Sequence, residues 1–213
     1  MEPIKYPRTF HLPWSESKAN DDKVLSSLAG LAGQEVVVTE KMDGENTTLM
    51  ADTCYARSLD SVSHFTRDWV RAFWASIRHE LPPGWRFCGE NLYARHAIAY
   101  DALRSYYMGF SVWDETYTAL PWDEAVGYMN MLNIVPVEVL YRGIFDPGAI
   151  RAAYAAYREK VGREVEGYVV RRAGAIPHDK FTEWVGKYVR PNHCAGAPHW
   201  LYGGSRIELN RLA

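Results

Sequence analysis

The sequence predicts an α+β fold of mainly antiparallel sheets with flanking helices. Three observations lead there. Short runs rich in Val, Thr, Tyr, Phe and Trp lie between turn residues along most of the chain, as half-buried strands require. A few longer stretches instead repeat their apolar residues at helical spacing. Strand runs interrupted by separate helices fit an α+β layout. With 213 residues and 47% hydrophobic content, the chain can bury a full core.

Taken in order, residues 1–22 carry Pro3, Pro7 and Pro13 and read as an irregular leader. Residues 23–32 are expected to form a short helix. Strands are expected at 35–40, 46–51 and 53–58. Between residues 65 and 81, Phe65, Trp69, Val70, Phe73, Trp74 and Ile77 follow helical spacing, and Pro82-Pro83-Gly84 stops that helix. Residues 85–90 and 106–114 read as strands, the second with Phe110 and Val112 on one face and Trp113 on the other. Pro121 suits the first turn of a helix reaching about residue 132. A strand follows at 134–140, and Asp146-Pro147-Gly148 opens an Ala-rich helix to about residue 161. Strands at 166–172 and 183–190 close the pattern, and 191–213 is a tail without clear period. No linker interrupts 23–190, which is expected to be a single domain.

Composition removes several function classes. The formal net charge of −2 provides no global cationic field, so a nucleic-acid partner would need a local patch. The three cysteines, Cys54, Cys88 and Cys194, have the spacing of neither a disulfide framework nor a zinc knuckle. The start of the chain lacks the apolar core of a signal peptide, and no apolar run is long enough to span a membrane. A cytoplasmic location is the expectation. His193, Cys194 and His199 lack the paired spacing of a structural zinc site. His96 and His178 read as surface or hydrogen-bonded histidines. There is no phosphate-cradling Gly-x-x-x-x-Gly-Lys loop.

The run with the most chemistry is Val36-Val37-Val38-Thr39-Glu40-Lys41-Met42-Asp43-Gly44-Glu45-Asn46, in which a β-branched strand delivers one lysine to an Asp-Gly turn. Crowding by other cations or desolvation would leave some of that lysine as the nucleophilic free amine. A plain β-hairpin would look the same. Downstream stand Arg57 at a strand end, suited to a phosphate or ribose or simply to solvent, and Glu90 in a Gly-Glu pair at a strand end. Trp113-Asp114 ends an aromatic strand that could stack a purine or belong to the core. Glu166-Gly167-Tyr168-Val169-Val170 follows, then Lys187 and Arg190 near the end of a last strand.

In that order and spacing, these motifs resemble the covalent nucleotidyltransferase superfamily of polynucleotide ligases and RNA capping enzymes. Glu40 to Asn46 looks most like the RNA ligase branch. The resemblance spans about residues 40–190 and implies an ATP-grasp-like nucleotidyltransferase (adenylation) domain. It implies an ATP-dependent RNA ligase that joins 5′-phosphate and 3′-hydroxyl RNA ends through lysyl-AMP and then RNA-adenylate. Lys41 would be the nucleophile, and Lys187 would contact the α-phosphate. Glu166 and Asp43 would hold Mg²⁺ or Mn²⁺. Glu40 would reach the adenine edge, Trp113 with Asp114 would serve the base, and Glu90 the ribose. Asn46 and Arg57 would contact phosphate or ribose. Arg190, the next cation after Lys187, would be a further nucleotide contact, although the last motif usually has its two basic residues separated by a single position.

With only 23 residues after Arg190, neither an oligonucleotide-binding barrel nor a helical domain is expected. Nicked or single-stranded RNA ends, and less favourably DNA, would then be gripped by the core, by the tail around His193, His199 and Arg206, or by a protein partner. Arg95, Arg104, Arg171 and Arg172 could track a nucleic-acid backbone or be surface cations. The alternatives are a DNA-nick ligase, a GTP-dependent guanylyltransferase and a non-catalytic nucleic-acid end-binding module.

Overall fold

The computed structural model describes residues 3–17, 22–59, 64–191 and 207–213. Its strands, in chain order, are β1 Phe10–His11, β2 Glu35–Lys41, β3 Glu45–Leu49, β4 Cys54–Ala56, β5 Arg86–Asn91, β6 Tyr107–Trp113, β7 Thr118–Ala119, β8 Val135–Pro136, β9 Val139–Ile144, β10 Gly167–Arg172, β11 Ile176–Pro177 and β12 Val185–Val189. Its helices are α1 Asp68–Ile77, α2 Trp122–Met131, α3 Pro147–Val161 and the single turn α4 Phe181–Trp184. The fold class is as expected, α+β and mostly antiparallel. Packing separates the chain into two compact units. One contains Asp43–Pro136 with the described residues at both termini, and the other the described parts of Pro7–Met42 and Val137–Ala195.

In the second unit the sheet runs β1-β12-β10-β2-β9, antiparallel except for the parallel pair β1 and β12. β2 is buried along nearly its whole length, which explains its unbroken Val36-Val37-Val38 run. One face of the sheet packs Val36, Val38, Tyr168 and Val170 against Ile150 and Tyr154 of α3. That helix starts as its sequence demands. Asp146 Oδ1 accepts from the backbone N–H of Gly148 and Ala149 at 2.7 and 3.1 Å, Pro147 follows, and left-handed Gly162 ends it.

In the first unit a sheet runs β7-β6-β5-β3-β4, with β8 parallel to β6. Leu49, Phe87, Tyr107 and Val112 form its core with Val70 and Ile77 of α1 and Ala125 and Met129 of α2. The described end of the tail belongs here. Asn210 is buried, its Nδ2 donating to Leu92 O at 2.7 Å and its Oδ1 accepting from Tyr100 N at 2.9 Å.

Several elements differ from expectation. Residues 23–32 form turns, not a helix, although Leu25 and Leu31 are buried. Lys23 O accepts from His11 N and Leu25 N donates to His11 O, so β1 captures this segment as a strand-like bridge. A Cβ on Gly30 would stand 2.5 Å from Glu183 O, a close approach that helical geometry does not provide for. The expected strand 134–140 is two strands, β8 and β9, and the first expected residues of 183–190 belong to α4. β1, β7 and β11, of two residues each, were too short for any periodicity to mark.

Candidate active site

Lys41 ends β2 directly opposite Gly167 of β10. The absence of a side chain at Gly167 is obligatory, because a Cβ there would lie 1.9 Å from Tyr188 O of β12. Glu166, one residue before, reaches Lys41, whose Nζ donates to Glu166 Oε2 at 2.7 Å. The lysine side chain is 26% exposed and the glutamate 7%, so a nearly buried carboxylate holds a partly open amine.

Register fixes the third member. Thr39, Val169 and Lys187 form a row across β2, β10 and β12, two residues along from the row of Lys41, Gly167 and Val189. Alternation in a strand has period two, so Lys187 shares the Lys41 face. Burial draws the Lys187 ammonium below the usual lysine range. Asp22 opposes the shift, Lys41 adds to it and Glu166 opposes it. Lys187 Nζ lies 3.7 Å from Asp22 Oδ1. Lys41, Glu166 and Lys187, predicted together, are thus brought together within one unit.

The same alternation sends Glu40 to the opposite face. Its carboxylate takes both guanidinium nitrogens of Arg163, Nη1 to Oε1 at 2.6 Å and Nη2 to Oε2 at 2.8 Å, and accepts from Tyr157 Oη at 2.6 Å. Burial, then the charge of Glu40, pushes the Tyr157 hydroxyl far above its usual value. The Glu40 carboxylate, 3% exposed with both oxygens engaged, forms a buried ion pair rather than standing open. Arg190 continues past β12 and its Nη2 donates to Glu164 Oε2 at 2.9 Å.

In the first unit, Asn46 and Glu90 are register partners on one face of the sheet. Glu90 Oε1 accepts from Gly44 N at 3.2 Å. Asp43 Oδ2 accepts from Ile98 N at 2.8 Å, and its own N–H donates to Tyr100 Oη at 2.9 Å, so this carboxylate braces the turn. Arg57 Nε donates to Tyr6 O at 3.1 Å. Asp114 Oδ1 accepts from Thr116 N, Thr116 Oγ1 and Thr118 N and so closes a turn. Phe110 is the extra residue of a bulge in β6, between Gly109 opposite Gly89 and Ser111 opposite Cys88. The bulge overturns the expected separation of Phe110 from Trp113. Both rings meet Tyr6 edge-on, at 5.2 and 6.1 Å, and Trp113 is fully buried while Phe110 is half-buried.

A family model described as RNA ligase matches residues 34–189. The chain belongs to the RNA ligase family. No curated protein matches it. Among solved structures, an archaeal ATP-dependent RNA ligase (form 2) is 16% identical with a TM-score of 0.58, over 87% of this chain and 48% of that one. An Aquifex aeolicus protein assigned provisionally as an ATP-dependent DNA ligase is 18% identical at 0.56, over 87% and 49%. The Naegleria gruberi RNA ligase with pyrophosphate is 16% identical at 0.53, over 88% and 61%, and a mutant of that ligase has been solved with ATP and Mn. The chain thus spans about half the length of the first two and shares the fold of all three.

Within this RNA ligase family member, sequence reasoning missed His11, Asp22, Tyr157 and Arg163. His11 and Asp22 stood in a proline-broken leader, and only the pairing of β1 with β12 carries them to Lys187. Counting parity along β2 would have separated Glu40 from Lys41. His193, Cys194, His199 and Arg206 lie outside the described residues. Among the described residues, no three or more His, Cys, Asp or Glu side chains cluster in a way that could hold a metal ion. Glu166 alone suits Mg²⁺ or Mn²⁺ only as one oxygen ligand beside substrate phosphates, the usual manner in which Mg²⁺ is bound. Among the described residues no helix is long and apolar enough to cross a membrane.

Proposed function

We propose that the chain is an ATP-dependent RNA ligase in which residues 23–190 act as the adenylation domain and Lys41 carries AMP. The observation that supports this most is the Lys41 Nζ to Glu166 Oε2 contact of 2.7 Å on the face shared with Lys187. Before attack the ammonium must lose a proton, which the hydrogen-bonded Glu166 carboxylate would accept. The free amine then attacks the α-phosphorus of ATP. A P–N bond forms, the α–β anhydride bond breaks, and pyrophosphate leaves with the bonding pair. Lys187 supplies positive charge toward the oxygens on which negative charge develops. AMP next passes to the 5′-phosphate of an RNA end, and a 3′-hydroxyl displaces it to form the phosphodiester. A bound divalent cation, Mg²⁺ or Mn²⁺, would neutralise phosphate charge, with Glu166 as its protein ligand. Glu90 keeps the ribose role that its motif implies, and Asn46 and Arg57 their phosphate or ribose roles.

Incubation with labelled ATP, GTP or NAD should leave AMP on Lys41 from ATP alone. Lys41→Arg and Lys41→Ala should both abolish it, since arginine does not deprotonate. Labelling of either variant overturns the nucleophile. A GTP adduct would select the guanylyltransferase, sealing confined to nicked DNA would select the DNA ligase, and neither adduct nor sealing would select the end-binding module.

A further inference from the structure

The Lys41 face holds one carboxylate that no motif announces. Asp22 lies where two cationic side chains and a histidine converge: Lys187 Nζ at 3.7 Å and Arg8 Nη2 at 3.6 Å from its Oδ1, and His11 Nε2 at 3.2 Å from its Oδ2. Its position is built rather than incidental. His11 is 1% exposed, and its other ring nitrogen, Nδ1, lies 2.7 Å from Ser15 Oγ. Ser15 Oγ in turn accepts from Val189 N at 3.0 Å, and Leu12 N donates to Lys187 O at 2.7 Å. The backbone next to Asp22 is pinned as well, by His11 N donating to Lys23 O at 2.7 Å. His11 pairs with Lys187 in register across β1 and β12, so the histidine, the aspartate and the lysine are tied to the same two strands.

We propose that Asp22, seated by the buried His11, is a positioning residue for Lys187, holding its ammonium on the Lys41 face where the α-phosphate of the nucleotide arrives. This rests on the ligase reading of the site. The electrostatics give the carboxylate its task. Burial and the neighbouring Lys41 both press Lys187 to give up its proton, while Asp22 and Glu166 press it to keep it. A lysine deprived of Asp22 would be less charged and free to swing on its four-carbon stem. Arg8 and His11 contact the same carboxylate, so Lys187 shares Asp22 with them.

The test uses Asp22→Asn, which keeps shape and removes charge. Single-turnover formation of the Lys41–AMP adduct should fall about 10- to 100-fold, the scale of a misplaced catalytic group. In a Lys187→Met background the same change should have no further effect, because the two act as one unit. Asp22→Glu should restore part of the rate. An unchanged rate in Asp22→Asn, or the same proportional loss with and without Lys187, overturns the proposal. A faster rate also overturns it, since Asp22 would then be a counter-ion that phosphate must displace.

A second measurement needs no activity. Followed by the ¹³Cε shift of Lys187 with Lys41, Glu166, His11 and Arg8 left intact, the ammonium should titrate at lower pH in Asp22→Asn than in wild type. An unshifted titration overturns the proposal even where the adduct is lost. Should wild type take no label from any nucleotide while Lys187 still titrates lower in Asp22→Asn, the ligase reading fails and the Asp22–Lys187 coupling stands.

Discussion

Glu40 and Lys41 are neighbours in the chain, yet they do unrelated work because a strand alternates its faces. Lys41 meets Glu166 on one side. On the other, Glu40 is clasped by Arg163 and Tyr157. Arg163→Met would leave a buried carboxylate with only the tyrosine hydroxyl. It should cost about 3 kcal/mol, the low end for breaking a buried pair, because the arginine is itself partly exposed. A urea unfolding curve reads the loss, and the folded fraction should still form adduct at an ordinary rate. Wild-type stability with a raised KM for ATP would instead return Glu40 to the nucleotide. The grouping of Lys41, Glu166 and Lys187 was legible because each sits in a local motif. The partners brought in by the fold were not, since His11, Asp22 and Arg163 reach Lys187 and Glu40 only through strand pairing and packing.

At the scale of elements, the site depends on how closely β10 and β12 approach. Gly167→Ala would thrust a methyl group into the Tyr188 carbonyl, where backbone rather than a flexible side chain must yield. The loss should exceed the about 1–3 kcal/mol of ordinary core overpacking. A thermal melt followed by circular dichroism should show it, and a wild-type melting temperature would contradict the geometry. Long strands with β-branched residues, such as β2, and the capped helix α3 were readable from sequence, since pattern and end signals agree there. The segment 23–32 was misread because Val24, Leu25, Leu28 and Leu31 have helical spacing, while β1 and the close approach at Gly30 impose an extended, turning path. The bulge at Phe110 was equally invisible, for one extra residue in β6 is defined only by the partner strand it fails to match.

Across the whole molecule, each compact unit is assembled from segments far apart in sequence. The sheet that carries Lys41 places β2 between β9 and β10 and sets β1 beside β12, so its first strands are completed by its last. A chain ending after Arg163 would keep Lys41 but lose Glu166, Lys187 and both strands that hold them. Such a fragment should collect in the insoluble fraction and take no label from ATP, whereas a soluble, labelled fragment would show that β10 and β12 are dispensable. The same arrangement dictates an order of events during synthesis. Lys41 leaves the ribosome early, and its carboxylate partner follows 125 residues later. Until then β2 has an open edge that can pair with any strand it meets. The nascent protein therefore passes through its most aggregation-exposed period with Lys41 already made and its carboxylate still to come, and the emergence of Glu166 with β10 ends both conditions.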